Sequence, residues 1–169
     1  VRDLVLPIDS PLLTTEQLVA ACREHRAAGR RIGFTNGCFD VLHAGHVACL
    51  RATASHADVV VVGLNNDAGV RAIKGPGRPV NGLSDRAAVL AALDTVDHVV
   101  GFDGAEAVEL IEAIRPDVYV KGADHDVAAL SEARAVERLG GSVVTVPLLP
   151  DRSTTGVIAA CAASMDAPA

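Results

Sequence analysis

The spacing of apolar and polar positions divides the chain into short segments of different period. Residues 1–13 show no clear period and contain Pro7 and Pro11, which predicts an extended arm. Thr14-Thr15-Glu16-Gln17 has the spacing of a capping box from Thr14 to Gln17, so a helix is expected to run to about Ala28, with Gly29 ending it. Arg31–Thr35 then reads as the first strand. Asp58–Leu64 (DVVVVGL) is a continuous apolar run with polar residues at its borders, the pattern of a central strand buried on both faces. His98–Phe102, Asp117–Val120 and Ser142–Val146 read as further strands. Helical segments fall between them at Ala44–Ser55, Ser84–Leu93, Ala105–Ile114 and Ala128–Leu139, and a last helix begins near Ser153 or Thr154.

Strands alternating with helices predict βαβ units, hence an α/β fold: a Rossmann-like, doubly wound parallel sheet in a single domain. Such sheets bind ligands at the carboxyl ends of their strands, near a switch point. The segment 74–83 (KGPGRPVNGL), with three Gly and two Pro, reads as a flexible loop, and 164–169 as a frayed tail. Residues 14–163 form the folded domain in this reading, opened by the helix of 14–29.

Composition narrows the class. The chain of 169 residues is 50% apolar but holds one Tyr and no Trp, so small branched side chains must fill the core. No run of about 18 apolar residues and no basic-then-apolar leader is present, which argues against a membrane partner and against secretion. Cys22, Cys38, Cys49 and Cys161 form no C-x-x-C pair and read as reduced thiols of a cytoplasmic protein, with no bound metal expected. The net charge of −6 argues against nucleic acid as a partner. It leaves room for small anionic substrates, which need only a local positive patch.

That patch has candidates. Thirteen of the fifteen basic residues are Arg; the two lysines, Lys74 and Lys121, each precede a glycine. A compact ammonium beside a glycine suits a phosphate contact; the alternative is two ordinary surface lysines. The strongest segment is Gly37–His46 (GCFDVLHAGH), which follows the first strand and opens a helix. His43 and His46 are three residues apart and share a helix face. Free N–H groups at that helix start favour an anion, and Gly45 leaves space for a phosphate against the backbone. Two imidazoles and a helix start converging on one anion suit phosphoryl chemistry. A two-histidine metal site and a pair of structural histidines are the alternatives, and Cys38 reads as a buried thiol rather than a nucleophile.

On these residues the sequence resembles the H-x-G-H nucleotidyltransferase superfamily, through His43-Ala44-Gly45-His46. Thr35–His46 (TNGCFDVLHAGH) is similar in particular to the bacterial heptose 1-phosphate adenylyltransferases, a unit often fused to a sugar kinase. The resemblance continues through Arg71–Asn81, Asp94–Val100, Pro116–Asp124 and Ser153–Thr155, nearly the whole chain. It implies transfer of a nucleotidyl group, AMP foremost, from ATP or another nucleoside triphosphate to a sugar 1-phosphate, with release of pyrophosphate. Cytidylyl transfer to another phosphorylated acceptor and a nucleotide-binding domain without turnover are the competing readings.

The resemblance also implies roles. His43, His46 and Lys74 serve the reacting phosphates. Thr35, Asn36, Gly37, Phe39, Asp40, Gly45, Lys121, Gly122 and Asp124 line the nucleotide site, with Asp40 placed to orient a ligand or assist Mg²⁺. Ser153, Thr154 and Thr155 cradle the outer phosphates, although a plain helix cap explains them equally well. Arg78, Arg86 and Arg152 are expected to bind substrate phosphates, the alternative for Arg86 and Arg152 being surface cations. Mg²⁺ is expected to arrive with the triphosphate rather than on a protein site. Ala123, His125 and Gly156 depart from the heptose branch; the first two flank the expected base pocket and leave the base open. A homodimer follows from the resemblance alone. Residues 1–30 offer too little chain for a kinase fold, so a separate sugar kinase is expected in the pathway.

Overall fold

The computed structural model describes residues 11–123, 129–147 and 152–165. Within them a six-stranded, wholly parallel sheet has the order β1-β4-β3-β2-β5-β6. The strands are β1 (Leu12–Leu13), β2 (Ile32–Gly37), β3 (Val59–Asn65), β4 (His98–Phe102), β5 (Val118–Gly122) and β6 (Ser142–Val146). The helices are α1 (Thr15–Ala27), α2 (Ala44–His56), α3 (Asp67–Lys74), α4 (Leu83–Ala91), α5 (Val108–Ile114), α6 (Ser131–Arg138) and α7 (Thr154–Met165). None of these helices is long and apolar enough to cross a membrane.

Alternate residues of β3 face opposite sides of the sheet, and every one of them is buried. Val59 and Val61 join Phe34, Tyr119, Leu18 and Cys22 of α1, Ile111 and Ile114 of α5, and Val136 of α6 in one core. Val60, Val62 and Leu64 join Leu50 of α2 and Ala87 and Leu90 of α4 in the other. Helices therefore cover both faces, which is why the strand reads as an unbroken apolar run.

From β2 the chain lays β3 and β4 to one side, then crosses back and lays β5 and β6 to the other. The switch point lies between β2 and β5, at the ends that carry Asn36, Gly37, Lys121 and Gly122.

Several expectations need correction. The extended arm ends in β1, which pairs with β4 through Leu12 and Leu13, so the strand expected first is second in order. That strand also runs two residues beyond Thr35, to Gly37. The helix α3 is an addition, capped by Asn66, whose side chain accepts from the Gly69 amide. It places Lys74 at a helix end rather than at the start of a loop. Its Gly69 is demanded by packing: a Cβ there would lie 2.7 Å from the Gly104 carbonyl oxygen. Helix α7 extends through Ser164 to Met165, into the segment read as a tail. The capping box of Thr14 and Gln17 forms in both directions.

Candidate active site

A cleft of about 720 Å³ opens at the switch point. Of the expected site residues, all the described ones except Arg86 line it; Asp124 lies outside the described residues.

The floor of the cleft is the turn from β2 into α2. Phe39 adopts a positive φ of 44°, a conformation that costs a side-chain-bearing residue about 1–2 kcal/mol and clusters at functional sites. His43 is the N-cap of α2, and its Nδ1 accepts from the Gly45 amide at 3.1 Å. An accepting Nδ1 fixes the proton of the neutral ring on Nε2. The His46 ring stacks on His43 with centroids 3.9 Å apart and lies 4.9 Å from the Phe39 ring. Burial lowers the pKa of His43. Burial, and then its histidine neighbour, lowers His46 to about 4 against a partial pull from Asp40. Both rings are therefore neutral near pH 7. The buried Nδ1 of His46 has no hydrogen-bond partner among the described residues.

Gly45 is required for a reason other than space for a ligand. A Cβ there would sit 2.9 Å from the His43 ring and 3.3 Å from the Arg152 carbonyl oxygen. The same closeness seats the start of α7 on the start of α2, where Thr154 Oγ1 donates to the Val41 carbonyl at 3.3 Å. Ser153 caps α7, its Oγ accepting from the Gly156 amide at 3.0 Å, so the capping reading holds while the residue also lines the cleft.

At the switch point Lys121 Nζ donates to the carbonyl and the side-chain oxygen of Asn36, at 3.1 and 3.0 Å. Tyr119 OH donates to the same Asn36 Oδ1 at 2.7 Å, which turns the Asn36 amide nitrogen toward Glu132. Glu132 is buried; it accepts from the Ala107 amide and from Ser131 Oγ. Burial, then the charge of Glu132, raises the Tyr119 pKa, so this phenol stays a donor. Glu132 lines the cleft and went unread in the sequence. Its signal was available: it shares an i, i+4 stripe with the buried Val136.

Two expected ligands are used elsewhere. Arg86 is 2% exposed. Its guanidinium donates to the carbonyls of Asn81, Cys38 and Asn65 and to Asp67 Oδ1, which uses four of five donors. It is a brace behind the cleft wall, not a phosphate contact. Asp40 is equally committed: Oδ2 accepts from Arg78 Nε at 2.7 Å, and Oδ1 from the amides of Val80 and Asn81 at 2.8 and 2.9 Å. Three of the roughly four acceptor sites of this carboxylate are thereby used within the protein. Among the described residues no three His, Cys, Asp or Glu side chains cluster to hold a metal. Burial raises the pKa of Cys38, outweighing Lys74 and Arg86, which disfavours a thiolate nucleophile.

Comparison with known proteins identifies the family. The sequence pattern of the cytidylyltransferase-like family matches residues 34–160. A "Bifunctional protein HldE" of Mesorhizobium japonicum is 52% identical over 157 residues, 93% of this chain and 30% of the relative. One from Pseudomonas aeruginosa is 46% identical over 147 residues, 87% of this chain and 31% of the relative. The chain thus spans under a third of the length of these curated relatives. Two solved structures share the fold. A lipopolysaccharide core biosynthesis protein from Thermoplasma volcanium aligns with a TM-score of 0.58 at 23% identity, covering 72% of this chain and 98% of that one. A pantoate-β-alanine ligase from Francisella tularensis aligns with a TM-score of 0.57 at 16% identity, covering 83% and 69%. With three quarters of its length inside the matched pattern, and the stacked histidines at its switch point, the chain belongs to the cytidylyltransferase-like family.

Proposed function

We propose that this chain is a nucleotidyltransferase that moves AMP from ATP to a sugar 1-phosphate, a heptose 1-phosphate, with release of pyrophosphate. The observation that carries the reading is the stacked, neutral pair His43 and His46 at the start of α2, with the start of α7 seated beside it in one cleft. An acceptor phosphate oxygen attacks the α-phosphorus in line. The bond from that phosphorus to the pyrophosphate oxygen breaks, and pyrophosphate leaves with the electron pair. The acceptor is already ionised near neutral pH, so the step needs no general base, and the cleft contributes positioning and charge stabilisation.

His43 donates through Nε2–H to the α-phosphate oxygens, with His46 stacked behind it. Negative charge gathering on those oxygens strengthens the hydrogen bond that the neutral ring donates, with no proton changing hands. The start of α7, with Ser153, Thr154, Thr155 and Arg152, receives the outer phosphates. Thr35, Asn36, Gly37, Phe39, Lys121 and Gly122 line the nucleoside side. Mg²⁺ arrives on the triphosphate and neutralises its charge.

The test is a screen of ATP, GTP, CTP and UTP against several sugar 1-phosphates, read by pyrophosphate release. Turnover confined to ATP and a heptose 1-phosphate is expected. Turnover only with CTP and an alcohol phosphate would shift the reading to cytidylyl transfer. Nucleotide binding without pyrophosphate release from any pair would end the catalytic reading.

A further inference from the structure

Four cations line the cleft beside the histidine pair. Lys121 ends β5 on one side of β2, Arg152 precedes α7 where its start is seated on α2, and Lys74 and Arg78 belong to the segments that follow β3 on the other side of β2. The histidines follow β2 itself. An in-line displacement at a central phosphorus places the leaving group and the incoming oxygen on opposite sides, so each needs its own cations.

Arg78 is anchored at one point. It gives Nε to Asp40 Oδ2 at 2.7 Å, and its two Nη groups have no partner among the described residues. Lys74, at the end of α3, makes no hydrogen bond or ion pair among the described residues. The anchor itself is rigid. The Asp40 side chain is 1% exposed, its second oxygen is held by the amides of Val80 and Asn81, and Asn81 Nδ2 donates back to the Asp40 carbonyl at 2.9 Å. Burial opposes the Asp40 charge, yet the two amides and Arg78 together bring its pKa below the usual value. A guanidinium held through Nε presents its planar Nη edge as a fork, which matches two oxygens of one phosphate.

We infer that Asp40 is a positioning residue that holds Arg78 as the fork for the phosphate monoester of the acceptor, with Lys74 adding a point charge beside it. The inference rests on the nucleotidyl-transfer reading and adds which cations meet which substrate. Asp40 also ties this fork to the motif that carries the histidines, so acceptor and reacting phosphorus keep a fixed separation.

The test uses the full chain, ATP with Mg²⁺, and heptose 1-phosphate. Arg78→Gln and Asp40→Asn are each expected to raise the acceptor KM about 10- to 100-fold, as for the loss of a charge-assisted hydrogen bond, with the ATP KM changed by less than about twofold. The double variant is expected to be no worse than Arg78→Gln, because both changes remove one contact. Should Asp40→Asn fold poorly, Arg78→Lys decides: it keeps the charge but has no fork, and the acceptor KM still rises at least about 10-fold. An unchanged acceptor KM in Arg78→Gln, or equal increases for both substrates, overturns this inference while wild-type turnover leaves the function standing. Absence of pyrophosphate from the wild-type protein with every substrate pair removes the function and this inference together.

Discussion

His43 takes a hydrogen bond from the Gly45 amide on Nδ1 and lays its ring over His46 at 3.9 Å. The backbone of α2 thereby selects the histidine tautomer, and the neighbouring ring fixes its plane. His43→Ala and His46→Ala are each expected to lower kcat by about 10²–10³, a loss of roughly 3–4 kcal/mol of transition-state stabilisation, with smaller changes in substrate affinity. Steady-state rates on variants with unchanged circular dichroism check this. Near-normal turnover in either folded variant places the chemistry elsewhere.

Gly45→Ala probes the same arrangement without touching an imidazole. The added methyl would meet the His43 ring at 2.9 Å and the Arg152 carbonyl at 3.3 Å. Either the ring tilts off its amide or α7 moves away. The expected result is a kcat close to that of His43→Ala and a stability loss of about 1–3 kcal/mol. A variant with full activity would mean that the ring position seen here is dispensable.

Much of the scaffold was legible because its rules are local and repetitive. The unbroken run at β3 announces burial on both faces, and Thr14 with Gln17 announces a helix start. Strand β1 was not legible, since two residues at a sheet edge carry no period. Helix α3 was hidden by its eight-residue length and by Gly69, which disfavours helix on propensity and is there for close packing. The cleft residues could be collected from motif spacing, but the direction in which a charge points could not. Arg86 shows why. It lies on the stripe of Leu83, Ala87 and Leu90, an i, i+3, i+4, i+7 pattern that faces the core, yet charged residues on such stripes are rarely read as buried. Asp40 offered no comparable signal, because it sits in a turn.

The loop after α3 divides into a held part and a loose part. The amides of Val80 and Asn81 are bonded to the buried Asp40 carboxylate, so their hydrogen exchange is expected to be slow in the ligand-free protein. Exchange at Gly77 and Arg78, beyond the Gly75 amide that closes α3 on the Arg71 carbonyl, is expected to be fast and to slow when a non-hydrolysable ATP analogue and acceptor are both present. Lys74→Arg is expected to reduce activity, because a planar fork replaces a point charge. Mass-spectrometric exchange resolves the two halves. Uniform slowing across 74–83 would mean the whole loop is a lid, and no slowing at all would remove the lid.

Stability should fall on mild acidification. His46 is held at about 4 when folded against 6.5 when unfolded, and His43 and His98 are also lowered, each chiefly by burial. Between those values the unfolded chain binds more protons, so stability rises with pH through the window. It is fully present above about 6.5 and is lost as pH falls toward 4. His46 alone accounts for a loss on the order of 3 kcal/mol. His98 adds to it, its Nε2 lying 2.9 Å from that of His25, where two protonated rings would repel. Denaturant midpoints from pH 7.5 to 4 measure the slope. His46→Phe, which keeps an aromatic ring in the stack, is expected to flatten it; an identical slope in that variant would assign the effect to other groups.

Arg86 decides between a ligand and a brace. A phosphate contact, once removed, weakens substrate binding and leaves the unliganded fold as stable as before. A buried brace does the opposite. Arg86→Met would strip donors from the carbonyls of Asn81, Cys38 and Asn65, three acceptors from three segments of the cleft wall. Each orphaned group costs about 1–3 kcal/mol, so a loss of roughly 3 kcal/mol or more is expected in the absence of any substrate. Arg86→Lys should recover little, since one ammonium cannot reach four acceptors arranged around a planar fork. Asp67→Asn should cost less than about 1 kcal/mol, because that carboxylate is 37% exposed and water replaces the partner. Urea midpoints of the ligand-free proteins settle the matter: an unchanged midpoint in Arg86→Met together with a raised substrate KM would return Arg86 to the substrate.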